Sequence, residues 1–160
     1  TTLFRSRAWS TIGDIWHQKG DAKKSYKAYD KALKINPNYI YVLNNYAYYL
    51  SQEGKKLGKA YAMSKKTIEA EPDNPTYLDT FGWILYLQGK ALEAKPFFKH
   101  AMLYGGKDSV VIMDHYAEVL FALKEYDLAL VYWNLALQKN KGEIDGLEEK
   151  VKQRRQEMKK

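Results

Sequence analysis

Four stretches of this chain repeat one another at intervals of 34 or 35 residues. Gly13, Ala47, Gly82 and Ala117 stand 34, 35 and 35 residues apart, and Ala32, Thr67, Ala101 and Ala136 step by 35, 34 and 35. Gly20, Gly54, Gly89 and Lys124 form a third series in the same rhythm. Such a period constrains the fold more than composition does. A unit of about 34 residues holds two helices and a turn, and it cannot bury its apolar face alone. Stacked copies can. The expected product is an elongated solenoid with a long groove, and the question becomes which surface binds rather than which reaction runs.

Each recurring position has a physical reason. Small residues at 13, 47, 82 and 117, and again at 32, 101 and 136, let two helices approach closely. Ile12, Trp16, Tyr46, Leu50, Phe81, Leu85, Tyr116 and Leu120 share one helical face and fill the space between neighbours. Gly20, Gly54 and Gly89 fall where a first helix must end, and glycine tolerates the left-handed C-cap best. Asn36-Pro37, Glu71-Pro72 and Asn74-Pro75 mark breaks between units, because the residue before proline is pushed out of the helical region.

Four departures carry expectations of their own. Lys124 replaces the turn glycine of the fourth unit, which predicts a tighter or differently capped turn. The run Gly54-Lys55-Lys56-Leu57-Gly58 holds one extra residue and predicts a longer turn in the second unit. Ser64 and Thr67 weaken the packing signature of that unit's second helix. Pro96 lies inside the second helix of unit three and removes a backbone donor, which predicts a bend or a late helix start.

Letter by letter, the unit resembles the tetratricopeptide repeat, W-x2-L-G-x2-Y, then A-x3-F, then P. Unit one reads Trp9, Ile12, Gly13, Trp16, Ser25, Tyr29, Ala32 and Pro37; unit two reads Leu43, Tyr46, Ala47, Leu50, Ala60, Ser64, Thr67 and Pro72. Unit three gives Leu78, Phe81, Gly82, Leu85, Ala94, Phe98 and Ala101, and unit four Met113, Tyr116, Ala117, Leu120, Ala129, Trp133 and Ala136. The resemblance runs from residue 6 to residue 143 and implies an all-α, right-handed α-solenoid. Its repeats fall at 6–39, 40–74, 75–109 and 110–143, in a single domain. Residues 144–160 form a C-terminal capping helix, packed through Ile144, Leu147 and Val151 with a polar outer side. The alternative for this charged segment is a basic arm that grips phosphate.

In this family the first helix of each repeat lines the concave groove. Carried over by register, the groove takes Arg7, Ser10, Asp14 and His17 from unit one, and Tyr41, Asn44, Asn45, Tyr48 and Gln52 from unit two. Thr76, Asp79, Thr80, Trp83 and Tyr86 follow from unit three, then Val111, Asp114, His115, Glu118 and Phe121 from unit four. The resemblance thus implies an aromatic floor, carboxylates along one side and amides at the centre. Asn44 and Asn45 would pair with the backbone of an extended segment. Asp14, Asp79, Asp114 and Glu118 would favour lysine or arginine on the ligand. The expected partner is a protein or peptide segment, apolar with basic positions. The competing reading is that these aromatics pack between helices and that the chain's own flanking segments fill the groove. A clamp for acidic chaperone C-termini is a poor match: Asn45 fits, but Ser10, Asp14, Thr76 and Thr80 stand where that subfamily has Lys, Asn, Lys and Arg.

The net charge of +7 invites a nucleic-acid or membrane-surface reading. Its distribution argues against one, because Lys23, Lys27, Lys31 and Lys34 stripe the outward helix of unit one while the groove is acidic. RNA-reading helical repeats set base-reading side chains at fixed positions in every repeat, and no such code recurs here. The basic convex face and C-terminal helix remain the alternative contact surface for phosphate. Catalysis finds little footing. His17, His100 and His115 lack metal-ligand spacing, and no phosphate loop or nucleophile motif is recognisable, so no metal or cofactor is implied.

No run approaches the roughly 18–20 apolar residues of a membrane span, and Arg5 and Arg7 interrupt the one signal-like stretch. With no cysteine, disulfides and thiolate sites are excluded, and the compartment stays open. The chain opens inside a helical unit, as an excised fragment would, so Phe4, Trp9 and Trp16 could drive self-association. The spelling NNYAYYLSQEGK and PTYLDTFGWILYLQGK resembles bacterial multi-repeat tetratricopeptide proteins, many of them in the cell envelope, which favours the periplasmic side over the cytoplasm.

Overall fold

The computed structural model describes residues 1–160 and is all-α. Its helices are α1 (Thr2–Gln18), α2 (Ala22–Ile35), α3 (Ile40–Gln52), α4 (Leu57–Ala70), α5 (Pro75–Leu87), α6 (Ala91–Leu103), α7 (Val110–Ala122), α8 (Tyr126–Lys139) and α9 (Leu147–Glu157). A short 3-10 turn, Gly106–Asp108, joins α6 to α7. The main packing partners are α1 with α2, α3 with α4, α5 with α6 and α7 with α8. The fold is therefore four helix-turn-helix hairpins followed by one further helix, the α-solenoid class. Two compact units result: Thr1–Glu71 holds α1 to α4, and Pro72–Lys160 holds α5 to α9.

Local chemistry explains the helix boundaries. Asp21 accepts a hydrogen bond from Lys24 N, Asn74 accepts from Thr76 N and Tyr77 N, and Ser109 accepts from Ile112 N. Each side chain satisfies a backbone donor that the first turn leaves free. Pro75 follows Asn74 at the first helical position, where its missing N–H costs nothing.

The first helices all end the same way. Gly20, Gly54 and Gly89 have positive φ, and Lys124 joins them at 62°. Lys124 N bonds Phe121 O and Glu125 N bonds Leu120 O, both at 2.9 Å, as Gly89 N bonds Tyr86 O and Lys90 N bonds Leu85 O. The expectation of a different fourth turn is thus corrected. Lysine adopts the glycine conformation because two closing hydrogen bonds offset a left-handed penalty of about 1–2 kcal/mol. The second hairpin does carry the longer turn, and its extra residue Lys56 also stands at positive φ, 49°. Pro96 does not delay α6, which starts two residues after its turn glycine, as α2 does. The Pro96 ring lies on the exposed side. α4 runs its full length with Ser64 and Thr67 buried, the Thr67 hydroxyl donating to Ser64 O at 2.6 Å.

Close helix contact rests on two glycine–aromatic pairs. A Cβ on Gly13 would overlap the Tyr29 ring, and one on Gly82 would lie 2.7 Å from the fully buried Phe98 ring. Gly82→Ala gains about 1 kcal/mol of helix propensity against an overpacking cost of about 1–3 kcal/mol. A lowered melting temperature is expected, with recovery in Gly82→Ala/Phe98→Leu. Gly58→Ala is the internal control, because nothing lies within 4 Å of its added methyl, and that variant should melt higher. Equal shifts in both single variants would remove the steric explanation.

α9 follows the fourth hairpin. It begins at Leu147 rather than at residue 144. Ile144 sits in the preceding turn, where Asn140 Oδ1 accepts from Ile144 N at 3.1 Å and Asn140 Nδ2 donates to Ile144 O at 2.9 Å. Leu147 and Val151 are buried. One repeat beyond Met113, Tyr116, Ala117 and Leu120, α9 shows the exposed polar residues Glu149, Lys152, Gln153 and Gln156. At those positions α9 therefore lacks the apolar face that the first helices of the hairpins present.

Candidate functional site

In the Thr1–Glu71 unit, α1 and α3 carry the expected groove residues. Asp14 on α1 is half-buried, and its carboxylate accepts from the Tyr29 hydroxyl and, at 2.9 Å, from the Tyr41 hydroxyl. His17, one turn on, stacks on Tyr49 with ring centroids 3.4 Å apart. Burial, and then the hydrogen bond to Asp14, push the Tyr29 and Tyr41 phenols above their ordinary range. Tyr41 remains 47% exposed, and Asn45 and Tyr48 are half-exposed. Asn44 is buried instead, its Oδ1 without a hydrogen-bond partner.

In the Pro72–Lys160 unit, α5 and α7 make a different surface. Asp79 and His115 are buried as a pair, with Oδ1 and Nδ1 2.7 Å apart. The His115 ring lies flat against Trp83, centroids 4.0 Å apart, and Trp83 stacks on Tyr86 at 4.8 Å. A buried ionisable pair thus fixes the plane of a half-exposed indole. Burial and the nearby Glu118 carboxylate raise the Tyr86 phenol.

Further along α7, Asp114 accepts from Trp133 Nε1 at 2.9 Å and meets Lys150 Nζ at 2.6 Å. Glu118 meets Lys150 at 3.1 Å and Arg154 at 3.1 Å, and the Arg154 guanidinium lies 4.8 Å from the centre of the Phe121 ring. Lys150 and Arg154 both belong to α9. Asp14, Asp79, Asp114 and Glu118, expected as a ligand-facing line of carboxylates, each hold a partner from this chain. In unit four that partner is the chain's own C-terminal helix.

Sequence reading missed this role of α9, although the spacing carries a signal. Asp79 meets His115, Asp114 meets Lys150 and Glu118 meets Arg154, each 36 residues on. Acid on one first helix meets a cation or imidazole on the next. The Arg154 and Lys150 contacts also draw the C-terminal segment away from a free phosphate-gripping arm.

The basic excess has a sharp location. Residues 1–71 hold 13 Lys and Arg against 6 Asp and Glu, whereas residues 72–160 hold 13 of each. Two of the α2 lysines are not simply solvated, since Lys24 and Lys31 lie over Trp16 and Trp9, each at 4.1 Å. No helix is long and apolar enough to cross a membrane.

Two family models, both described as tetratricopeptide repeat, match residues 6–39 and 28–62. A TPR repeat-containing protein of Pseudomonas aeruginosa is 30% identical over 85 residues, which cover 53% of this chain and 14% of that protein. Among solved structures, pilF of Pseudomonas aeruginosa superimposes with a TM-score of 0.72 at 21% identity, covering 84% of this chain and 61% of that one. YrrB, described as a TPR protein with an unusual peptide-binding site, superimposes with a TM-score of 0.64 at 15% identity, covering 84% of this chain and 69% of that one. At these identities the structural likeness speaks for the fold.

Proposed function

The chain is a tetratricopeptide repeat protein, and from that premise we propose that it is an interaction scaffold rather than an enzyme. Its partner is a peptide or protein segment held against the first helices of the repeats. The observation that carries this reading is the Asp79–His115–Trp83 stack. A buried carboxylate and imidazole are used to hold one face of an indole that stays half-exposed beside Tyr86. Rigid aromatic surface of that kind binds with little loss of side-chain freedom, and such side chains dominate interaction hot spots. Tyr41, Asn45 and Tyr48 give the Thr1–Glu71 unit its own half-exposed aromatic and amide surface. Apolar side chains of the partner pack on these rings. Basic positions on the partner would have to compete with His115, Lys150 and Arg154 for the carboxylates. The peptide-binding description of YrrB supports the class of ligand.

The test is retention of proteins from a nuclease-treated lysate by wild type, Trp83→Ala and Tyr48→Ala. A partner held by wild type should lose at least about tenfold in affinity on Trp83→Ala, since aromatic hot spots carry about 2 kcal/mol or more. Helicity by circular dichroism should be unchanged. Equal retention of the same proteins by all three baits removes the assignment of binding to these rings.

A further inference from the structure

α9 is seated on α7 as a bound helix would be. Two cations one turn apart, Lys150 and Arg154, meet two carboxylates one turn apart, Asp114 and Glu118. The Arg154 guanidinium also covers the Phe121 ring. Matched i, i+4 spacing on the two helices places both pairs at once. The apolar anchors of α9 are two, Leu147 and Val151, both buried.

The fit is incomplete at its centre. Glu118 is 5% exposed, yet its Oε2 takes no hydrogen bond. Arg154 stands 3.1 Å from that oxygen as an ion pair, but it also donates to Glu157 on its own helix at 2.9 Å. One edge of its guanidinium faces Glu118, with Nε donating to Oε1 at 3.4 Å and Nη2 beside Oε2, while Nη1 is given to Glu157; an arginine that is not shared can grip a carboxylate with two shorter parallel bonds. A buried carboxylate oxygen that is ion-paired but takes no hydrogen bond leaves room for a better-matched cation. The segment before α9 turns at Gly142 and Gly146, both at positive φ, with Ile144 held between them by the Asn140 side chain.

We infer that the inner side of α7 is a receptor for a basic amphipathic helix, that α9 is its resident occupant, and that a partner helix of the same pattern exchanges with it. That pattern is two cations four residues apart beside two apolar residues four residues apart. The inference rests on the reading of the first helices as the binding face, and it names the chemistry of the ligand at the fourth repeat.

The probe is a labelled synthetic peptide of residues 144–160, titrated into the full chain and followed by fluorescence anisotropy. Wild type should bind it weakly. Lys150→Ala/Arg154→Ala in the protein weakens the resident helix, and the peptide should then bind at least tenfold tighter. Adding Glu118→Gln should cancel that gain. In wild type, saturating peptide should speed amide hydrogen exchange across 147–157, a readout that does not depend on the variants folding. No gain in the double variant, a gain that survives Glu118→Gln, or unchanged exchange in 147–157 would each overturn the inference. Its failure is distinct from that of the wider reading. A lysate partner lost on Trp83→Ala while the peptide fails to exchange leaves the aromatic surface standing and removes only the α7 receptor.

Discussion

Trp133→Ala is expected to destabilise the Pro72–Lys160 unit by about 3–5 kcal/mol, the range for removing a buried large aromatic, and to uncouple α8 from α7. Trp133 is fully buried, and its ring lies 6.0 Å from that of Phe121. Truncation opens a cavity among side chains that are already close-packed. It also withdraws the Nε1 donor from Asp114, a carboxylate 6% exposed that would then depend on Lys150 alone. The two effects separate in Trp133→Phe, which keeps most of the ring and loses the donor. That variant should cost less, roughly 1–3 kcal/mol for a buried acceptor left short of a partner. Urea unfolding followed by far-ultraviolet circular dichroism gives both numbers. A loss below about 1 kcal/mol for Trp133→Ala would mean that the fourth hairpin relaxes around the gap.

The hairpins were legible because each repeating letter acts within its own unit. Gly82 is a glycine because Phe98, on the partner helix of the same hairpin, occupies the space of a side chain. That constraint recurs with the period and so prints itself on the sequence. The turn at Lys124 was misread for the opposite reason. The left-handed position is imposed by the hydrogen bonds of Lys124 N to Phe121 O and Glu125 N to Leu120 O, and these use backbone that every residue has. Identity at the position expresses only a preference.

The partners of the inner carboxylates escaped notice because they lie one repeat away, at 36 residues rather than at 34 or 35. Aligning repeats places Asp79 over Asp114 and suggests a row of like charges. The packed helices instead bring each acid beside the residue one place past its counterpart. Whether such an acid serves packing or a ligand is written in the next repeat. α9 makes the point at the chain's end, since its cations look like a free basic arm until Asp114 and Glu118 are found beneath them. The half-exposed faces of Trp83 and Tyr86, which the proposed partner would meet, were readable only as register positions.

Above pH 10 the chain is expected to lose stability steeply, and the tyrosines are the cause. In the Thr1–Glu71 unit, burial raises the phenols of Tyr26, Tyr29, Tyr41, Tyr46 and Tyr49. In the other unit, Tyr116 is pushed up to about 12 by burial, then by Tyr132 and Glu125. A folded phenol that ionises later than an unfolded one binds its proton more tightly in the folded state. Its contribution is complete below about pH 10, the unfolded value, and is lost as pH rises through the folded one. For Tyr116 that window is roughly pH 10 to 12, and the stability at stake is about 2–3 kcal/mol. The first unit carries five raised phenols, two of them hydrogen-bonded to Asp14, so it should unfold first. Tyrosinate absorbance at 295 nm and circular dichroism at 222 nm, recorded together against pH, should change in one cooperative step. Tyr29→Phe keeps the ring and removes both the titration and the bond to Asp14. It should therefore lose about 1 kcal/mol at neutral pH and shift the alkaline midpoint upward relative to its own neutral stability. Smooth ionisation near pH 10 with helicity intact would show these rings to be solvated. Asp14 would then be free to meet a basic ligand, which is the situation the packed cluster denies it.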